Sequence, residues 1–266
     1  MCHKLFGEEK VKYNMKKIIT LLVALIITAI AVGAKIKDER ITYRVMYKWG
    51  LINKQAGTVT IDTKLSDDES YFNALLVGHS ASWADKFYCV RDTLKGHIIT
   101  NTITPTVYEK ISHEGGEYKR DLITYTREGD SVTAHCERWK QEDEDEPIVH
   151  TTKTLSATGY TVDMISSFYY MRFMDFRSMK TGESKSMNIF SGKRKEILKI
   201  TFKGYSTVQI DEKYYQCYHI TFSFTADGKK KTSDDLHAWI SNDSRRIPVK
   251  LEGKLPVGSV KCFYVP

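Results

Sequence analysis

The chain has 266 residues, 41% apolar and 27% charged, a globular balance that excludes wholesale disorder and collagen-like repeats. Forty basic residues against 33 acidic ones give a net charge of +7, and five prolines with 16 glycines are too few for a linker-rich chain.

The first segment changes these figures. Residues 18–32 are an apolar run broken only by Thr20 and Thr28, with Lys16 and Lys17 before it and Val32-Gly33-Ala34 at its end. A basic flank, an apolar core and small closing residues spell a secretory signal. It would start at Met15, after an upstream extension, and be cleaved after Ala34. The run is short for a spanning helix, which takes about 20 residues, so membrane association is expected only if the signal stays uncleaved. No cysteine follows it, so lipid attachment is not expected. Export to the periplasm is the compartment this implies. Removing residues 1–34 takes away five lysines and two glutamates, leaving a single β-rich domain, 35–266, with a net charge of +4 over 232 residues. Lys193-Arg194-Lys195 and Lys229-Lys230-Lys231 read as solvated turns. No basic face or recognisable nucleic-acid fold is visible, so nucleic acid is not an expected partner.

The remainder reads as β almost throughout. In 41–49, Tyr43, Val45, Tyr47 and Trp49 share one face, and Thr42, Arg44 and Lys48 the other. That period marks a half-buried antiparallel strand. Similar segments follow at 57–63, 71–77, 86–91, 98–103, 121–126 and 132–139. Five consecutive acidic residues at 142–146, ended by Pro147, suit a hairpin tip.

Residues 161–176 instead have a helical period. Met164, Ile165, Phe168, Met171 and Met174 form an apolar stripe to pack on the concave face of a sheet. Asp163 or Thr161 can cap the start, and Gly182 can help end the segment. Strands resume at 186–190, 196–202, 206–210, 214–224, 236–241, 248–252 and 259–265. The fold expected is mainly β: an antiparallel half-open barrel or sandwich of many short strands, with one central helix packed on it.

Two stretches carry a family resemblance. Asp163, Ser166, Tyr169 and Arg172 are spaced as D-x-x-S-x-x-Y-x-x-R, and Trp239, Ser241, Asp243, Arg246 and Pro248 as W-x-S-x-D-x-x-R-x-P. Both are similar to segments of the DUF3108 family of exported bacterial envelope proteins. The resemblance extends from the aromatic strand at Tyr43 and the return at Gly57, through Arg91 and Pro105, to about residue 265. Met164 stands where the family often has proline. The resemblance implies export and an antiparallel β architecture, but no activity. The second motif also resembles lipoprotein carriers of the LolA and LolB type, half-open barrels that cradle acyl chains against a helix. That likeness is an architectural analogy.

The chemistry is sparse. Cys89, Cys136, Cys217 and Cys262 lie in strand-like segments and allow three disulfide pairings or none. Eight histidines form no H-x-x-x-H pair, and no G-x-S-x-G, G-x-G-x-x-G or Walker motif occurs, so neither a catalytic residue nor a metal or other cofactor is expected. Sixteen tyrosines, 11 phenylalanines and four tryptophans suit either ordinary sheet packing or an apolar pocket. Tyr43, Tyr47, Trp49, Phe168 and Trp239 are the candidate cavity lining. Trp239 can equally be core, Asp243 can accept backbone hydrogen bonds in its turn, and Arg172 can meet an acidic group, backbone carbonyls or a ligand anion. The expected role is binding or carrying a hydrophobic or amphipathic envelope component. An assembly factor whose partners are envelope proteins is the alternative, and a hydrolase without a recognisable motif is a third.

Overall fold

The computed structural model describes residues 35–226, 230–231, 236–255 and 257–266. The signal segment, the upstream extension and most of the turn around Lys229 lie outside them.

Alternation generates the sheet. In β1 (Glu39–Trp49) Ile41 and Tyr43 are buried, while Thr42 and Arg44 are not. The strand pairs in antiparallel register with β2 (Ile52–Leu65), setting Tyr43 opposite Val59 and Ile41 opposite Ile61. The meander continues through β3 (Tyr71–Ser80), β4 (Val90–Ile99), β5 (Thr104–Glu114), β6 (Glu117–Glu128), β7 (Ser131–Gln141) and β8 (Val149–Thr158), each beside its predecessor. A short helix, α1 (Ser82–Asp85), lies between β3 and β4. After β9 (Thr161–Val162) and helix α2 (Met164–Phe173) come β10 (Ser184–Phe190), β11 (Lys195–Ile210), β12 (Lys213–Ala226), the short β13 (Lys230–Lys231), β14 (Leu236–Ser241), β15 (Pro248–Lys254) and β16 (Ser259–Val265).

The two halves join where β16 pairs with the free side of β1, so fifteen of the described strands form one path from β8 round to β9. That path curls into a nearly closed barrel, which decides between the barrel and sandwich expected from sequence and closes further than a half-open form. Its edges meet where the chain passes from β8 through Gly159 and Tyr160 into β9. There Asn188 of β10 bridges them, its backbone N–H donating to the Tyr160 carbonyl and its side-chain amide to that of Thr158, each at 3.0 Å. Bulges at Val45/Met46, His97/Ile98, Phe202/Gly204 and Trp239/Ile240 bend the strands as closure requires.

α2 plugs one end. Its N-cap is Asp163: the side chain accepts from the Ser166 amide, and Ser166 Oγ accepts from the Asp163 amide, a reciprocal cap. The helix is buried well beyond one stripe. Ile165, Ser166, Ser167, Tyr169, Met171 and Arg172 are all inside, while Met164 of the expected stripe is exposed at the first turn. Ile165 sits over Gly96 of β4, where even a Cβ would come within 3.2 Å of its methyl group. The helix stops at Phe173, as Met174 turns extended, so Gly182 belongs to a later turn and not to its end. Met174, Phe176 and Met179 then pack with Leu198, Ile200 and Phe202 of β11 in a second apolar cluster.

Several expected boundaries shift. Residues 86–91 are not one strand: Lys86–Cys89 form a turn and loop after α1, leaving Cys89 just outside β4. Residues 196–202 and 206–210 are a single bulged strand, and β5 and β8 had no counterpart in the pattern. The acidic run at 142–146 does form the β7–β8 hairpin tip. Cys89, Cys136, Cys217 and Cys262 are all free thiols.

Candidate functional site: an apolar cavity opposite the helix

α2 rests against the C-terminal part of β4, while Glu39, Thr63 and Phe72 meet its side chains from β1, β2 and β3. The other ends of these same strands enclose a cavity of about 590 Å³. Small-molecule sites typically span roughly 300–1,000 Å³. Its wall is Val45, Tyr47 and Trp49 of β1, Ile52 and Val59 of β2, Leu76 and Gly78 of β3, and Val260 of β16. Trp83 and Ala84 of α1, Phe87 and Tyr88 of the following loop, and Leu255 add to it, with Thr58, His79, Ser80 and Asp92 as its polar side chains.

Local chemistry sets this wall. The β1–β2 turn holds Gly50 at φ +52°, so Trp49 and Ile52 emerge side by side. Trp83 is fixed by donating its indole N–H to the Gln55 carbonyl at 2.7 Å, with the Phe87 ring against it edge-on. The β15–β16 hairpin is stitched to β1 by the Tyr47 hydroxyl, which donates to the Val257 carbonyl at 3.0 Å. Gly258, at φ +80°, lies so close to the Lys48 carbonyl that no side chain fits there.

Asp92 is the one carboxylate in the wall. Lys110 Nζ lies 3.1 Å from both Asp92 Oδ2 and Glu114 Oε1, and Asp92 Oδ1 is buried without a partner. Burial, reinforced by Glu114 and opposed by Lys110, pushes the Asp92 carboxyl up. Burial acts the same way on Glu114, but Lys110 and the hydrogen bond from Asp92 outweigh it and hold that group below its ordinary value. Lys110 thus bridges two carboxyls that burial and its own charge shift in opposite directions. Among the described residues, no three His, Cys, Asp or Glu side chains gather as metal ligands. Burial pushes the thiols of Cys136 and Cys262 up to about 11 and that of Cys217 to about 12, so none is a ready nucleophile.

A family model described as a protein of unknown function, DUF3108, matches residues 42–263. The chain belongs to the DUF3108 family. The crystal structure of a beta-barrel-like protein of domain of unknown function DUF1849 from Brucella abortus is similar in fold to this DUF3108 barrel. Their TM-score is 0.60 at 10% identity, covering 87% of this chain and 97% of that one. At that identity the likeness concerns the fold alone. No curated protein matches the chain.

The two DUF3108 motif stretches meet each other, not the cavity. Arg172 donates to the carbonyls of Arg246, at 3.1 Å, and Arg245, at 2.9 Å, and its guanidinium lies 2.6 Å from the Glu39 carboxylate, both side chains nearly inaccessible. Tyr169 shares a hydrogen bond of 2.6 Å with Thr63. Asp243 accepts from Ser241 Oγ and from the amides of Arg245 and Arg246. Arg246, at φ +49°, lays its guanidinium 4.5 Å over the Tyr218 ring, and Pro248 opens β15. Trp239 stacks on His219 at 4.6 Å, with Lys250 over its ring at 4.0 Å. These residues tie the helix to the turn before β15.

Of the five expected cavity residues, Tyr47 and Trp49 line the wall and three do not. Tyr43 is sealed in the core one strand position deeper. Phe168 is on α2 at the opposite end, and Trp239 faces the His219 stack. The missed wall residues are mainly Trp83, Phe87 and Tyr88. Their signal is the cluster of three aromatics within six residues, of which Phe87 and Tyr88 fell inside the strand expected at 86–91.

Proposed function

We propose that this protein is an exported binding or carrier module for a hydrophobic or amphipathic component of the cell envelope, held in the cavity between β1–β4, α1 and the β15–β16 hairpin. The carrying observation is a cavity of about 590 Å³ walled by Tyr47, Trp49, Leu76, Trp83 and Phe87, whose one carboxylate is Asp92, paired with Lys110. An unfilled apolar space of this size gains free energy when methylenes replace water, at roughly 0.8 kcal/mol for each CH₂ buried. Thr58, His79, Ser80 and Asp92 are the polar side chains of the lining, a small set that suits an amphiphile with a hydrogen-bonding head. Export rests on the signal-like segment, which lies outside the described residues. No described helix is long and apolar enough to cross a membrane.

Mild extraction of the purified protein followed by mass spectrometry tests the reading. The expected result is a stoichiometric apolar or amphipathic molecule that is absent from a cavity-filled Gly78→Leu variant. A Cβ at Gly78 meets only Val59, at 3.5 Å, so the backbone tolerates this change. Recovery of the same molecule from both proteins would refute it.

A further inference from the structure

The mouth of the cavity has a composition of its own. Its three projecting segments each expose apolar residues beside lysine. The β1–β2 turn carries Trp49, 55% exposed, and Leu51, fully exposed, between Lys48 and Lys54. The loop after α1 presents Phe87, 83% exposed, and Tyr88 next to Lys86. The β15–β16 turn presents Leu255 and Val257 next to Lys254. All three emerge from the same end of their strands, around one opening. Large apolar side chains in one patch mark an interaction site.

Two carboxylates flanking these segments are already engaged. Asp85 is held by Arg91 at 2.7 Å, and Glu252 by Lys250 and Lys261. Lys48, Lys54, Lys86 and Lys254 have no carboxylate partner among the described residues, and only Lys54 makes a further contact, over the Trp83 ring at 4.9 Å. These three segments are thus apolar at their tips and positive behind them; the acidic 142–146 hairpin stands at the same end, beyond Cys89 and Gly115 and outside the cavity lining.

We propose that this rim docks onto an anionic lipid bilayer, with Trp49, Leu51 and Phe87 entering the headgroup region and the four lysines meeting lipid phosphates. Tryptophan and tyrosine favour that depth, and each lysine near an anionic surface adds attraction. A second copy fits less well: a two-fold contact through the same patch would set lysine against lysine. Docking gives the cavity mouth direct access to its cargo, and in that sense the inference rests on the binding reading above.

Vesicle flotation tests it with the mature chain, residues 35–266, which lacks the apolar segment 18–32. Phosphatidylcholine vesicles are compared with vesicles in which roughly a third of the lipid is phosphatidylglycerol. The account predicts partitioning to the anionic vesicles that weakens with added salt. Leu51→Ser should lower it about tenfold, and the double change Lys48→Glu, Lys54→Glu at least about tenfold. None of these three positions lines the cavity, so uptake of dissolved 1-N-phenylnaphthylamine should stay within about twofold of wild type in both variants. Failure of wild-type protein to float with anionic vesicles, or equal flotation of all three proteins, would overturn the proposal. So would a dimer in sedimentation that Leu51→Ser dissolves, which would assign the face to a second copy. Flotation as predicted without probe uptake would support docking and count against the cavity reading alone.

Discussion

Asp163 is a carboxyl with almost no water around it. Burial pushes it up to about 6 despite the hydrogen bonds from Ser166 that cap the helix. Below pH 4 folded and unfolded chains both hold this proton, and its contribution to stability is complete. As pH rises towards 6 the unfolded chain releases the proton first, and stability falls; above 6 the loss is finished. Asparagine caps about as well as aspartate, so Asp163→Asn should remove a fall on the order of 2 kcal/mol between pH 4 and 7. Urea unfolding at the two pH values checks this, and an unchanged fall would contradict it. Asp163→Ala should cost about 1 kcal/mol at pH 4 through the lost cap, and less at pH 7, where the wild type has already lost the stability its buried proton gave. Arg172 is the second demanding residue. Its pairing with Glu39 is buried, so Arg172→Ala strands a carboxylate and two carbonyls and should cost about 3–5 kcal/mol. Adding Glu39→Gln to that variant should restore part of the loss, as read from the urea midpoint.

At the scale of elements, α2 was legible because its apolar spacing, Asp163 and Ser166 lie within one local segment. The strand at Tyr43 was legible for the same reason: Ile41 and Tyr43 are buried, and Val45, Tyr47 and Trp49 continue the same alternate face to the cavity. β8 left no such trace, since among its ten residues only Leu155 is buried and the strand ends at the barrel seam. β5 hides behind Pro105 and its alternating charges, which are satisfied across strands by Lys95, Arg120 and Asp92. The cavity was half legible. Tyr47 and Trp49 followed from alternation, whereas Phe87 and Tyr88 reach it from a loop whose path depends on α1. The β15–β16 hairpin is the element on which the mouth depends. Gly258→Val adds a side chain at φ +80° against the Lys48 carbonyl. It should cost more than about 1 kcal/mol and displace the hairpin from β1. Faster amide exchange at Val257–Val260 with slow exchange retained in β11 would be the signature; uniform slow exchange would contradict it.

At the scale of the molecule, one sheet serves two ends. The strands that receive α2 at one end stay paired and line the cavity at the other, where Gly78 carries no side chain to fill it. The DUF3108 motif residues secure the plugged end. The open end is built from Trp49, Trp83, Phe87 and Leu255, which lie outside both motifs. The plug holds the barrel in shape, and the unfilled end supplies the binding space. Affinity for straight-chain amphiphiles should therefore rise about fourfold for each added methylene and level off once the chain outgrows the space.

A titration with 1-N-phenylnaphthylamine tests the central claim most directly, comparing wild-type protein with Gly78→Leu at equal stability. The account predicts saturable, enhanced fluorescence for the wild type, displaced by a long-chain amphiphile, and at least about tenfold weaker binding when the added leucine fills the space. Equal binding by the two proteins, or none by the wild type after extraction of any resident ligand, would contradict it.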